Sequence, residues 1–191
     1  MGRKKRHWDP DYYYHIVCRG NRRDALFLSD GDYRTFLYIL QQTSVKTPFE
    51  LASYCLMTNH FHLQLRSQEQ PISKVMSLIN KRYANYFNTR HNTTGHVFEE
   101  RFYDRMIVSD YGMLKVSSYI HLNPVEAGMV AAPETYPWSS YPFYIHNSLQ
   151  GDLQLNTNTI LDIFPGNEQE KERRYQEFVA DEDELNRLVR V

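Results

Sequence analysis

Asn59-His60-Phe61-His62-Leu63-Gln64-Leu65-Arg66 alternates polar and apolar side chains without a break, which is the period of a half-buried β-strand. Phe61, Leu63 and Leu65 point to one face, and His60, His62 and Gln64 to the other. The apolar set fixes the register, because a slip of one residue would turn both imidazoles into the core. Two histidines at i and i+2 on an open strand face bring their ring nitrogens close enough to share a metal ion. Ordinary surface or core histidines give the same spacing, so the rest of the chain has to decide between the two readings.

Working outward, residues 49–57 read as a strand joined to this one by the short Thr58-Asn59 connection, an antiparallel hairpin. Before it, Ser29-Asp30-Gly31-Asp32 has the form of a helix cap with an acid at N3, and Tyr33, Phe36, Leu37 and Leu40 follow at helical spacing until Pro48. Residues 12–19 are aromatic and β-branched, fit a first strand, and run into the Gly20-Asn21 turn and then Arg22-Arg23. After the hairpin, Pro71 opens a helix whose apolar stripe is Ile72, Val75, Met76, Ile79, Tyr83 and Phe87. Lys81, Arg82 and Arg90 lie off that stripe, as a solvated face or as a nucleic-acid contact. Residues 97–108 have the composition of a fourth strand.

The order β, α, β, β, α, β predicts an α+β, ferredoxin-like (split βαβ) antiparallel sheet with two helices on one face and the other face open. The histidine pair then faces outward, where a ligand can bind. RNA-binding modules use the same fold, so the fold alone does not assign a function.

Downstream, Ser109-Asp110 starts a further helix that leads to Tyr119-Ile120-His121-Leu122-Asn123-Pro124, and Pro124 is expected to end it at Asn123. Tyr119 and Asn123, four residues apart, share a helix face, whereas His121 points elsewhere and reads as structural. His15 can face the histidine pair from the first strand or serve as a hydrogen-bonded sheet residue. Trp138-Ser139-Ser140-Tyr141 is expected to seal the domain edge.

A chain of 191 residues holds one well-buried domain, here 1–150 with a basic N-terminal segment, and a helical tail over 151–191. Hydrophobic residues at 41% and charged residues at 24% are those of a soluble globular protein. No apolar run approaches the roughly 20 residues that span a bilayer, and the basic start has no apolar region after it, so the expected location is cytoplasmic. Cys18 and Cys55 sit in apolar contexts and read as buried, reduced thiols. The net charge of −1 conceals a surplus of five bases in residues 1–23 and of five acids in residues 168–184. Arg3, Lys4, Lys5, Arg6, Arg22 and Arg23 can therefore meet phosphates, or form a solvated tail and turn.

Thr58-Asn59-His60-Phe61-His62, then Tyr119-Ile120-His121-Leu122-Asn123-Pro124-Val125-Glu126-Ala127-Gly128, then Trp138-Ser139-Ser140-Tyr141 resembles the single-tyrosine HUH transposases. The likeness is greatest to the IS200-like, REP-associated tyrosine transposase branch, and it covers roughly residues 10 to 145. It implies metal-dependent cleavage and strand transfer of single-stranded or hairpin DNA through a 5′-phosphotyrosine. On that resemblance Tyr119 is the nucleophile, His60, His62 and Asn123 hold Mg²⁺ or Mn²⁺, and the protein is a monomer or homodimer. The family usually has Arg where Glu126 stands and often Pro where Thr58 stands; the first departure bears on a DNA contact.

The chemistry is consistent with the motif. A phenol with a reference pKa of about 10 is a weak nucleophile, and a phosphodiester is a weak electrophile, so the site must assist both. Two imidazoles and an amide oxygen can hold a divalent cation with positions left for phosphate oxygens, where it offsets developing charge. Two other functions fit the same residues: a non-catalytic nucleic-acid-binding module, and a metal-dependent nuclease using activated water.

Overall fold

The computed structural model describes residues 7–146, 153 and 155–189. Tyr13–Arg19 forms β1, Asp30–Lys46 α1, Glu50–Leu56 β2, His60–Arg66 β3, Ile72–His91 α2 and Tyr103–Ile107 β4. All strand pairs are antiparallel, in the order β2-β3-β1-β4. The histidine strand β3 is therefore central, flanked by β2 on one side and β1 on the other.

The sequence signals act locally as read. Ser29 and Asp32 form a reciprocal capping box at the start of α1, and Asp32 Oδ1 also accepts hydrogen bonds from the Tyr86 hydroxyl (3.0 Å) and His91 Nε2 (2.9 Å). One buried carboxylate thus ties the start of α1 to the end of α2. The six stripe residues of α2 are all buried, and they meet Phe36, Leu40, Phe61, Leu63 and Leu65 in the main core. Phe61, Leu63 and Leu65 are completely enclosed. Each enclosed side chain of this size stabilises the fold by about 1.5–3 kcal/mol, so the register of β3 is strongly set.

The second face of the sheet is not left open. Asp110–Glu126 forms α3, Tyr141–Ile145 α4, Asn158–Leu161 α5 and Glu168–Val189 α6. Their apolar residues Leu114, Leu122, Tyr144, Ile160, Tyr175 and Val179 build a second core with Tyr13 and Ala52. Alternation in β3 assigns its residues to two faces but does not say what covers each one. The apolar stripes of α3 and α6 needed a partner, and β2, buried on both faces from Leu51 to Leu56, supplies it. Consequently His62 is 3% exposed and Gln64 is fully buried, its side chain bonded to Ser53 Oγ (2.7 Å) and to the Met113 carbonyl (3.2 Å). Across β1 and β4 the cover reaches Tyr13 and Ile107 but not Arg19, Tyr103 and Arg105, which stay exposed.

Two further expectations change. The fourth strand is limited to Tyr103–Ile107, because Glu99, Glu100 and Arg101 break the alternation; residues 97–102 meet the sheet through a Gly20–Phe98 bridge, a hydrogen bond from Glu99 N to the Arg19 carbonyl (3.1 Å) and the packing of Phe98 and Phe102 on the main core, without forming a ladder. Helix α3 continues past Asn123 to Glu126 with Pro124 buried inside it. Near a helix end a proline forfeits one backbone bond, and its effect on the preceding residue is a bias that packing overrides. As expected, the Trp138-Ser139-Ser140 stretch runs along the outer edge of β2: Leu56 N donates to the Trp138 carbonyl (2.9 Å) and Ser140 N to the Tyr54 carbonyl (2.9 Å). An edge strand covered in this way cannot recruit a foreign strand. Cys18 and Cys55 are buried and not disulfide-bonded, and among the described residues no helix is long and apolar enough to cross a membrane.

Candidate active site

The pairing of β1 with β3 sets Val17 opposite His62, Arg19 opposite His60 and His15 opposite Gln64. His15 Nε2 lies 3.0 Å from His62 Nδ1, and His60 Nδ1 lies 2.8 Å from Asn59 Oδ1. Each ring of the pair is thus oriented through Nδ1, which leaves its Nε2 as the outward atom. His62 Nε2 is buried and has no hydrogen-bond partner among the described residues. An orphaned buried nitrogen on a ring whose other nitrogen is held is the arrangement of a metal-ligating histidine with its supporting partner.

Burial, then the His15 and His60 rings and the Arg19 guanidinium, hold His62 well below the usual imidazole range. Burial and Arg19 lower His60, and burial followed by Arg105 lowers His15 to about 4. Neutral rings have a lone pair to give to a cation.

Helix α3 brings the remaining groups. The Tyr119 ring centroid lies 5.5 Å from that of His62, at 90°, and 5.7 Å from that of His15. Tyr119 is also 44% exposed: its ring leans on the histidines while its surface meets solvent. Asn123 donates Nδ2–H to the Tyr119 carbonyl (2.9 Å), so its amide oxygen is left to face the imidazoles, and it favours the protonated forms of both. Among the described residues no three His, Cys, Asp or Glu side chains form a metal cluster. A divalent cation here would rest on two imidazole nitrogens and an amide oxygen, a donor set suited to Mn²⁺ or Mg²⁺.

His121, on the opposite side of α3, fixes where that helix sits. It is fully buried, with Nδ1 2.6 Å from the Tyr175 hydroxyl of α6 and Nε2 2.7 Å from Ser140 Oγ. Ser117 Oγ is 2.7 Å from the same tyrosine hydroxyl. Burial pushes the His121 pKa down to about 3, so the ring stays neutral and acts as a hydrogen-bonding joint.

The basic residues read from the sequence divide into two sets. Arg22 and Arg23 are exposed, both hold left-handed backbone (φ 53° and 65°), and the Arg23 carbonyl accepts from Asn59 Nδ2 (3.2 Å). Asn59 therefore links the arginine turn to His60. Arg3, Lys4, Lys5 and Arg6 lie outside the described residues. Sequence reasoning passed over Arg19 and Arg105, whose fields act on the histidines. The signal for Arg19 was available, since it shares the parity of His15 on β1; Arg105 required the β1–β4 register.

The family described as transposase IS200 like matches residues 10–123. A Haemophilus influenzae protein named for the REP-associated tyrosine transposases is 22% identical over 142 residues, spanning 68% of this chain and 78% of that one. A solved REP-associated tyrosine transposase bound to a REP hairpin shares the fold at 19% identity, with a TM-score of 0.66 over 80% of this chain and 90% of that one. The family match covers more than half of the sequence, takes in all four strands and ends on Asn123 of the tyrosine helix: the chain belongs to the IS200-like transposase family.

Proposed function

We propose that the protein cleaves and rejoins single-stranded or hairpin DNA in a reaction dependent on Mg²⁺ or Mn²⁺, through a 5′-phosphotyrosine on Tyr119. The observation that carries this reading is convergence within one chain: the Tyr119 ring stands 5.5 Å from that of His62, whose buried Nε2 has no protein partner among the described residues. His60 Nε2, His62 Nε2 and the Asn123 amide oxygen would hold the cation. When bound, it would offset charge on the phosphate oxygens and orient the phosphorus for in-line attack.

The phenol oxygen of Tyr119 forms a bond to phosphorus as the bond from phosphorus to the 3′-oxygen breaks. The phenolic proton is lost to solvent, the departing 3′-oxygen takes one up, and the products are a 5′-phosphotyrosine and a free 3′-hydroxyl. Because the ester link is conserved, a second 3′-hydroxyl reverses the step on a new strand without ATP. Arg22 and Arg23, with Arg3, Lys4, Lys5 and Arg6, supply phosphate contacts that position the strand. The likeness to a protein solved with a REP hairpin supports a hairpin as the natural form of the substrate. A DNA substrate also implies a cytoplasmic protein. Residues 1–150 are the catalytic unit and 151–191 its helical tail, which seats α3 through Tyr175.

Incubation with labelled single-stranded DNA and Mn²⁺ is expected to give a denaturant-resistant adduct that Tyr119→Phe abolishes. His60→Ala and His62→Ala should remove cleavage while largely keeping DNA binding. Cleavage retained by Tyr119→Phe would assign the chemistry to activated water instead.

A further inference from the structure

The part of the sheet that α3 leaves uncovered leads straight to the candidate site. Strand register puts His62, Val17 and Tyr103 in one row across β3, β1 and β4, and Gln64, His15 and Arg105 in the next. The same face carries Arg19 opposite His60. Tyr103 is 58% exposed on the edge strand, although a phenol ring packs readily wherever a neighbour is available. Arg19 and Arg105 are exposed, and among the described residues neither guanidinium group has a hydrogen-bonding or ion-pair partner. Their charge nevertheless reaches the site, since Arg105 acts on His15 and Arg19 on His60 and His62. An exposed aromatic ring between two unpaired guanidinium groups is the composition of a surface that stacks a base and holds its flanking phosphates.

The spacing fits one occupant. Two strand separations put Tyr103 about 10 Å from His62, and two residues along β4 put Arg105 about 7 Å from Tyr103. The first is the reach of a nucleotide next to the phosphate under attack by Tyr119, and the second is close to one backbone repeat of an extended strand. We propose that Tyr103 and Arg105, with Arg19, form a subsite for the nucleotide adjoining the cleaved phosphate of single-stranded DNA, Tyr103 stacking its base. The subsite rests on the catalytic reading above for its orientation but not for its binding.

The test is fluorescence anisotropy with a labelled single strand of mixed sequence, in EDTA, on protein carrying Tyr119→Phe so that no chemistry occurs. Tyr103→Ala should weaken binding about tenfold, and Tyr103→Trp should restore it, because any aromatic face can stack. Arg105→Ala should lower the slope of log affinity against log salt by about 0.7, the share of one single-strand phosphate contact, while Tyr103→Ala leaves the slope unchanged. Parental affinity in Tyr103→Ala, failure of Tyr103→Trp to rescue, or an unchanged slope in Arg105→Ala overturns the subsite. If these variants behave as expected but protein with Tyr119 intact forms no covalent adduct, the catalytic reading fails and the binding strip stands. If the adduct forms and the variants bind like the parent, the subsite alone fails.

Discussion

Replacing His15 by alanine removes the group facing His62 Nδ1 at 3.0 Å. If Nε2 of His62 faces a cation, the proton of the neutral ring must sit on Nδ1, which then donates to His15 Nε2. The His62 ring is 3% exposed, so only the space that His15 vacates could admit water to the lost acceptor's place. A buried donor left unmatched costs about 1–3 kcal/mol. At 1.4 kcal/mol per factor of ten, that corresponds to roughly a 5- to 150-fold loss of cation affinity, overlapping the 10- to 100-fold typical for removal of such a supporting group. Calorimetric titration of Mn²⁺ into the Tyr119→Phe protein without DNA reads this affinity apart from catalysis. We expect His15→Ala to weaken Mn²⁺ binding at least tenfold and His15→Gln to weaken it less, because a carboxamide oxygen can accept the same hydrogen bond. Cleavage by His15→Ala in the presence of Tyr119 should recover as Mn²⁺ is raised. Unchanged Mn²⁺ affinity in a folded His15→Ala protein would refute the reasoning, and equal losses in the alanine and glutamine variants would reduce His15 to a packing residue.

Two further outcomes follow from buried polar groups away from the histidines. Tyr175→Phe deletes the hydroxyl shared by Ser117 and His121; it should cost about 1–3 kcal/mol, a fall in melting temperature of about 2–4 °C for each kcal/mol, and should lower adduct yield more than DNA affinity. At Asp32, burial pushes the carboxyl pKa up, but hydrogen bonds from His91, the Leu28 amide, Tyr86 and Ser29 outweigh it and leave the pKa below its ordinary value. A carboxyl lowered on folding contributes stability that is complete above its unfolded value of about 4 and lost as pH falls through the folded value. The urea midpoint of Asp32→Ala should therefore lie well below the parent's at pH 7, by about 2–3 kcal/mol of stability, and the gap should narrow below about pH 4; a gap independent of pH would contradict the assignment.

The legible parts of the fold were those in which one periodicity had one physical outcome. The stripe of α2 and the apolar half of β3 could only face a core, and both do. The exposure of His62 was misread because alternation distinguishes two faces without identifying what lies over them, and the covering elements come from α3 and α6, far along the chain. Arg105 was hidden for a related reason: its place beside His15 depends on the pairing of strands 90 residues apart. Pro124 misled in the opposite direction, since a local bias was taken as an end and tertiary packing carried the helix through it.

The same covering explains how a distant tyrosine is brought to the histidines. Tyr119 and His121 lie on different sides of one helix, so whatever fixes His121 aims Tyr119. His121 is fixed twice, by Tyr175 from α6 and by Ser140, whose amide and hydroxyl are in turn bound to the backbone of Tyr54 in β2. Lys115 of α3 adds an ion pair with Glu182 of α6. Lifting α3 from this seat would strand at least three enclosed polar groups, each costing about 1–3 kcal/mol, on top of the apolar contacts of Leu114 and Leu122. Those costs are comparable to the whole stability of a domain of this size, so the helix keeps its place unless α6 and the Ser140 segment move with it. The acidic tail segment therefore does a positional task in this fold: it holds the Tyr119 ring beside those of His62 and His15.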